Sequence, residues 1–164
     1  MNLLSWSEVC HFLQGCLQIA VFCILGWFYC MIANAASQQQ QQQPPEITIE
    51  LGRGIIKVEV ANTPASREQG MMKRKRLGID RGMLFVFDTP EAVCLWMKDT
   101  VIPLSAAFID NSGLVVKTVD LEPNSKEEKC APVPIRYVLE VNRHWFDQND
   151  VKPGSKLYKL PTSP

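Results

Sequence analysis

The stretch whose reading decides the fold is Arg81–Asp110, RGMLFVFDTPEAVCLWMKDTVIPLSAAFID. Gly82-Met83-Leu84-Phe85-Val86-Phe87 is apolar at every position after the glycine. Side chains alternate between the two faces of a strand, so a strand apolar at every position must be covered on both faces. This run is therefore expected to be a central strand. Asp88-Thr89-Pro90-Glu91 has turn composition, Cys94–Met97 reads as another short strand, and Ala106–Ile109 follows Pro103 as a further one. The polar insert Lys98-Asp99-Thr100 lies between two of these apolar runs.

Working outward, Ile47-Thr48-Ile49-Glu50-Leu51 and Ile56-Lys57-Val58-Glu59-Val60 each alternate apolar and polar. Gly52-Arg53-Gly54 between them predicts a hairpin of half-buried strands. Thr63-Pro64 reads as an N-cap followed by proline at the first helical position, and the helix is expected to run to about Lys73. Its apolar stripe is thin (Ala65, Met71, Met72), which predicts a helix on the surface of the sheet. Asp110-Asn111-Ser112-Gly113 is a turn leading to a strand over Leu114–Leu121. Glu122–Pro134 reads as a polar loop, Tyr137–Val141 as a strand, Arg143–Asn149 as a short helical piece and Lys156–Leu160 as a last strand. The whole is an α+β domain, mainly β, expected to be barrel- or sandwich-like with one or two short helices.

The first 45 residues differ in kind. They carry one charged side chain, Glu8, and Leu17–Ala33 is an apolar run interrupted only by Gln18. A segment of this length lies between a signal-peptide core and a membrane span. Ala33-Asn34-Ala35 places small residues where a signal peptidase reads, so cleavage between Ala35 and Ala36 is expected, with an uncleaved anchor as the alternative. The bulky Trp27, Phe28 and Tyr29 and the lack of Lys or Arg among the first 16 residues favour the anchor. Gln38–Gln43 followed by Pro44-Pro45 is a low-complexity tether that buries nothing. The expected organisation is a leader or anchor over 1–35, a tether over 36–45 and one β-rich domain over 46–164. The protein is expected to be exported to the periplasm or beyond, and to touch membrane only through the N-terminal segment.

Lys+Arg and Asp+Glu number 17 each, so no long-range field steers the chain toward nucleic acid. No phosphate loop, dinucleotide fingerprint or Gly-x-Ser-x-Gly elbow is present. His144 is the sole histidine beyond residue 11 and has no clustered ligands around it in sequence, so neither a metal nor a cofactor is expected. A serine triad would have to use His144, and no serine is marked out for it. Cys94 and Cys130 are the only cysteines after the leader, and an exported compartment favours their bridging over two buried free thiols.

Met71-Met72-x-Arg74, Gly82–Phe87, Trp96-Met97-Lys98-x-Thr100, Ile102-Pro103-Leu104, Phe108-Ile109-Asp110-x-x-Gly113 and Tyr137-Val138-Leu139-Glu140 occur in this order. The set resembles the bacterial and archaeal family catalogued as domain of unknown function number 192, over roughly Ile55 to Leu157. The resemblance implies a compact, β-rich and commonly exported domain, and it implies no activity. The family pattern has Asn where this chain has Asp99, and Asp where it has Ser105.

The candidate ligand-binding residues are Arg74, Trp96, Lys98, Asp99 and Thr100. Trp96 would supply an aromatic face, Lys98 a cation and Thr100 a hydroxyl to a groove. The plainer reading is a turn in which Asp99 caps backbone amides and Lys98 is solvated. Lys73–Arg76 reads as a solvated helix end complementing the helix dipole, with phosphate or lipid binding as the alternative. Arg74, Asp110 and Glu140 are read as possible members of structural ion pairs. Two functions compete: a monomeric, non-catalytic binding or accessory module of the cell envelope, recognising an envelope component or a small ligand, and a small hydrolase or transferase using carboxylates such as Asp99, Asp110 or Glu140 with Lys98.

Overall fold

A computed structural model describes residues 44–160. The expected leader, its cleavage point at Ala35 and Ala36 and most of the tether lie outside the described residues. Eight strands form, in order β1 (Glu46–Leu51), β2 (Gly54–Ala61), β3 (Arg81–Glu91), β4 (Cys94–Leu95), β5 (Leu104–Ile109), β6 (Val115–Leu121), β7 (Lys129–Cys130) and β8 (Ile135–Asn142). Two short helices, α1 (Pro64–Gln69) and α2 (Trp145–Gln148), complete the described elements.

Six strands make one sheet in the order β1-β2-β3-β8-β5-β6, and β4 pairs with β7 in a separate two-stranded sheet. The β1–β2 and β5–β6 pairs are the two hairpins that alternation and turn chemistry predict. β2 and β3 run parallel, joined through α1, while β3 and β5 both flank β8 antiparallel. The main sheet is open: β1 and β6 are its edges, and the last residues add only single bridges, Tyr158 to Glu50 and Lys156 to Leu114. This corrects the barrel expectation and reduces the expected last strand to two bridges.

β3 is buried on both faces, as its unbroken apolar run requires. Leu84 and Val86 enter one core with Ile56, Val58, Leu139 and the α2 residues Trp145 and Phe146. Met83 and Phe85 enter the other core with Met71, Val93, Met97, Phe108 and Val138. The first face is thus covered by α2 and the C-terminal segment, and the second by the connections around α1 and β4.

Three expectations are corrected by local geometry. β3 continues through Asp88–Glu91, where a register irregularity between Val86 and Glu91 replaces the expected turn. α1 ends at Gln69 rather than near Lys73, because Gly70 adopts φ 45°, a conformation that stops the helix and is easily reached only by glycine. Its start is as expected, with Thr63 and Ser66 forming a capping box and Pro64 in the first turn. The strand expected over Cys94–Met97 shrinks to Cys94–Leu95.

Candidate ligand-binding site

Trp96 follows β4 directly and remains 52% exposed. The Lys98 ammonium lies over its ring, 5.7 Å from the centroid. Asp99 has φ 55°, in the left-handed region that Asp and Asn tolerate better than most residues. That shared tolerance explains why a turn can accept either residue here. The Asp99 carboxylate makes no hydrogen bond or ion pair with any described residue. Its carbonyl instead accepts the Lys73 N–H at 2.8 Å. The corner is therefore held by main-chain bonds, which corrects the expectation that the Asp99 side chain caps amides. Thr100 is buried; its N–H donates to the Met97 carbonyl at 3.1 Å, and its carbonyl accepts the Asn124 N–H at 2.9 Å. Its hydroxyl donates to the Lys98 carbonyl at 3.3 Å.

Arg74 is placed elsewhere. It forms a two-pronged pair with Glu59 at 2.5 and 2.7 Å, and this bonding raises its pKa. The basic run Lys73–Arg76 follows α1 at a distance instead of ending it, so the helix-dipole reading does not apply. Of the three residues considered for ion pairing, only Arg74 forms one. Asp110 instead takes bonds from the Ser112 and Leu114 N–H groups and the Ser112 hydroxyl. Burial pushes its pKa up, but these bonds outweigh it and the net shift is downward.

Beside Trp96 opens a pocket of about 200 Å³. Arg67 and Gly70 of the α1 end, Phe85 and Phe87 of β3, Met97 and Thr100 are among its walls. Glu140, on β8, also lines it. Register places Glu140 between Met83 of β3 and Ala106 of β5, on the second face of the sheet. Its residue exposure is 6%, and its carboxylate has no hydrogen bond or ion pair with any described residue. Burial raises its pKa to about 7. Arg67 cannot neutralise it freely: its guanidinium donates to the Val86 carbonyl at 2.9 Å and stacks over Phe87 at 5.1 Å. Sequence reasoning named Trp96 and Thr100 as ligand-binding residues, and Glu140 only as an ion-pair member or a carboxylate of the competing enzyme. The available signal was a carboxylate set inside the apolar strand Tyr137–Val141.

Cys94 also lines the pocket and is bridged to Cys130 with an S–S distance of 2.07 Å. The bridge joins directly opposed residues of β4 and β7. Glu128 lies beside the two sulfurs, the one cluster of potential metal ligands among the described residues, but the bridge consumes both sulfur atoms.

A second hollow, about 180 Å³, is lined by Ser105, Asp120, His144 and Asp147 among others. The Ser105 hydroxyl donates to Asp120 at 2.6 Å and accepts the His144 main-chain N–H at 3.2 Å. No hydrogen bond joins Ser105 to the His144 imidazole, whose Nδ1 lies 3.9 Å from Asp147. A serine nucleophile needs that imidazole contact, so this constellation is a structural network.

Residues 46–158 match the model of the family described as Uncharacterized ACR, domain of unknown function 192. The chain belongs to this family. Two solved structures resemble this member closely enough to share its fold and ancestry. One, described as a candidate transcription regulator from Sinorhizobium meliloti 1021, is 32% identical with a TM-score of 0.68, the match covering 70% of this chain and 94% of that one. The other, a protein of unknown function from Novosphingobium aromaticivorans DSM 12444, is 30% identical with a TM-score of 0.63, covering 68% and 82%. No curated protein matches the chain.

Proposed function

We propose that this family member is an exported, non-catalytic binding module of the cell envelope, and that its ligand occupies the pocket between Trp96 and Glu140. The observation that carries this reading is the pocket itself: a hollow of about 200 Å³ with Phe85, Phe87, Trp96 and methionine walls, into which Arg67, Gln69, Thr100 and Glu140 bring polar groups. The leader and the Gln/Pro tether support a domain displayed at the envelope. The competing hydrolase or transferase reading requires Lys98, Asp99, Asp110 and Glu140 to converge, and only Glu140 lines the pocket. A regulator's role on DNA, suggested by the S. meliloti relative, gains nothing from a chain whose 17 basic and 17 acidic side chains balance.

The test is a thermal-shift and tryptophan-fluorescence screen of the full chain against envelope fragments and small amphipathic compounds, with Trp96→Ala alongside. The expected hit raises the melting temperature of wild type and shifts it far less in the variant. A screen in which every hit acts equally on both proteins would remove the pocket from the reading. Turnover of ester or phosphoester substrates that disappears in Lys98→Ala would favour the enzyme instead.

A further inference from the structure

A carboxylate withdrawn from water and left without a donor is an expensive feature, and folding alone gives no reason to keep it. Glu140 is such a group. It is buried, it faces an accessible hollow, and no side chain among the described residues donates to it. The nearby charges are engaged elsewhere. On β3 the same face begins with Arg81, which is paired with Glu46. On β2 it carries Glu59, tied to Arg74. β5 offers only Leu104, Ala106 and Phe108 on that face, none of them charged. At the pocket's edge, Arg67 is held by Val86 and Phe87, Glu68 adds a second negative charge, and Lys98 rests on Trp96. The pocket thus presents a buried, unmatched acceptor within aromatic and thioether walls, with the exposed Glu68 at its edge.

We infer that this pocket recognises an organic cation, a primary ammonium or guanidinium carried on a short apolar stem, through the Glu140 carboxylate. The inference rests on the reading of the pocket as a binding site and names the ligand class it takes. The cation would supply the missing donor to Glu140, while Phe85, Phe87 and Trp96 hold the stem and favour its charge through their ring faces. Trp96 already accepts a cation in this way from Lys98. At roughly 30 Å³ per small group, the hollow admits about seven non-hydrogen atoms. A single amino-alkyl chain, such as a lysine side chain or a short free amine, has this size. A proton competes with the ligand for the same carboxylate, because burial lifts the Glu140 pKa to about 7. Affinity for a cation should therefore be flat above that pH and fall about tenfold for each pH unit below it.

The experiment is calorimetric titration of the full chain, in a nonionic detergent, with n-pentylammonium, 1-pentanol and pentanoate at pH 5.5 and pH 8.5. Pentylammonium is expected to bind best, and to bind about 30-fold more weakly at pH 5.5 than at pH 8.5. Glu140→Gln should abolish that pH dependence and the preference for the amine over the alcohol, while alcohol binding survives. Equal binding of alcohol and amine at both pH values, or a preference for pentanoate, overturns cation recognition and leaves the pocket as a binding site. Failure of all three probes sinks both readings together. Should Glu140→Gln not fold, the carboxyl resonance titrating near pH 7 in 13C-glutamate wild type serves in its place. Its midpoint must drop on addition of pentylammonium and stay fixed with pentanol; a midpoint unmoved by the amine refutes the inference.

Discussion

At the scale of the residue, Glu140 and Asp110 show how one functional group takes opposite roles in one sheet. Asp110 sits in a turn whose N–H groups converge on its carboxylate, so its pKa falls below 3.8. Its stabilising contribution is present near neutrality and is lost only as pH drops through that lowered value. Glu140 is buried, with no donor to it among the described residues, and burial raises its pKa from 4.5 to about 7. The folded state then holds the proton more tightly than the unfolded chain, and stability falls as pH rises from about 4.5 to 7. That gap is equivalent to about 3 kcal/mol at 1.36 kcal/mol per pH unit. We predict that Glu140→Gln removes this decline and is more stable than wild type at pH 8 by about 3 kcal/mol, read from urea midpoints at the two pH values. Unchanged pH dependence in the variant would show that Glu140 is solvated. Trp96 and Thr100 were legible as site residues because Thr100 belongs to the polar insert between two apolar runs and Trp96 stands just before that insert. Glu140 was not, because its partnerless burial follows from register against Met83 and Ala106.

At the scale of the element, local chemistry was readable and long-range pairing was not. The two hairpins and the Thr63 cap depend on residues a few positions apart, and each formed as the alternation and cap signals predict. The helix end was misjudged because Gly70 outweighs the helix-forming residues after it. Pro90 suggested a turn, yet lies near the end of β3 within the irregularity, where a lost donor costs little. The β4–β7 pair consists of two residues on each side, too little to stand without its covalent link. Closing a loop with a sequence separation of 36 contributes about 3–4 kcal/mol. Reduction of Cys94–Cys130 should lower stability by that amount, measured by urea unfolding with and without dithiothreitol. Far-UV circular dichroism should persist, because the six-stranded sheet has no part in the bridge. A Cys94→Ala/Cys130→Ala variant unaffected in midpoint would mean that the strap is held by packing alone.

At the scale of the whole molecule, the double-sided burial of β3 followed directly from Gly82–Phe87, and with it the mainly β class and the family membership. Export is our proposal from the composition of the first 45 residues, and it makes its own prediction. Expressed with its full leader in a Gram-negative host, the domain should fractionate with the envelope. Mass spectrometry should then give an N-terminus at Ala36 if the leader is removed, or the intact chain if it anchors. Recovery of the protein in the cytosol would defeat the proposal. Sequence by itself determined the two hairpins, the doubly covered central strand, the capped start of α1, and that Cys94 and Cys130 were available to pair, since these depend on local alternation, turn and cap chemistry and composition. Only the tertiary structure decided that the sheet stays open, that β4 and β7 form a separate strap, and that Glu140 faces a pocket with no donor bonded to it among the described residues. Those outcomes depend on which strands become neighbours and in what register, and a one-residue slip of β8 would turn Glu140 to the opposite face.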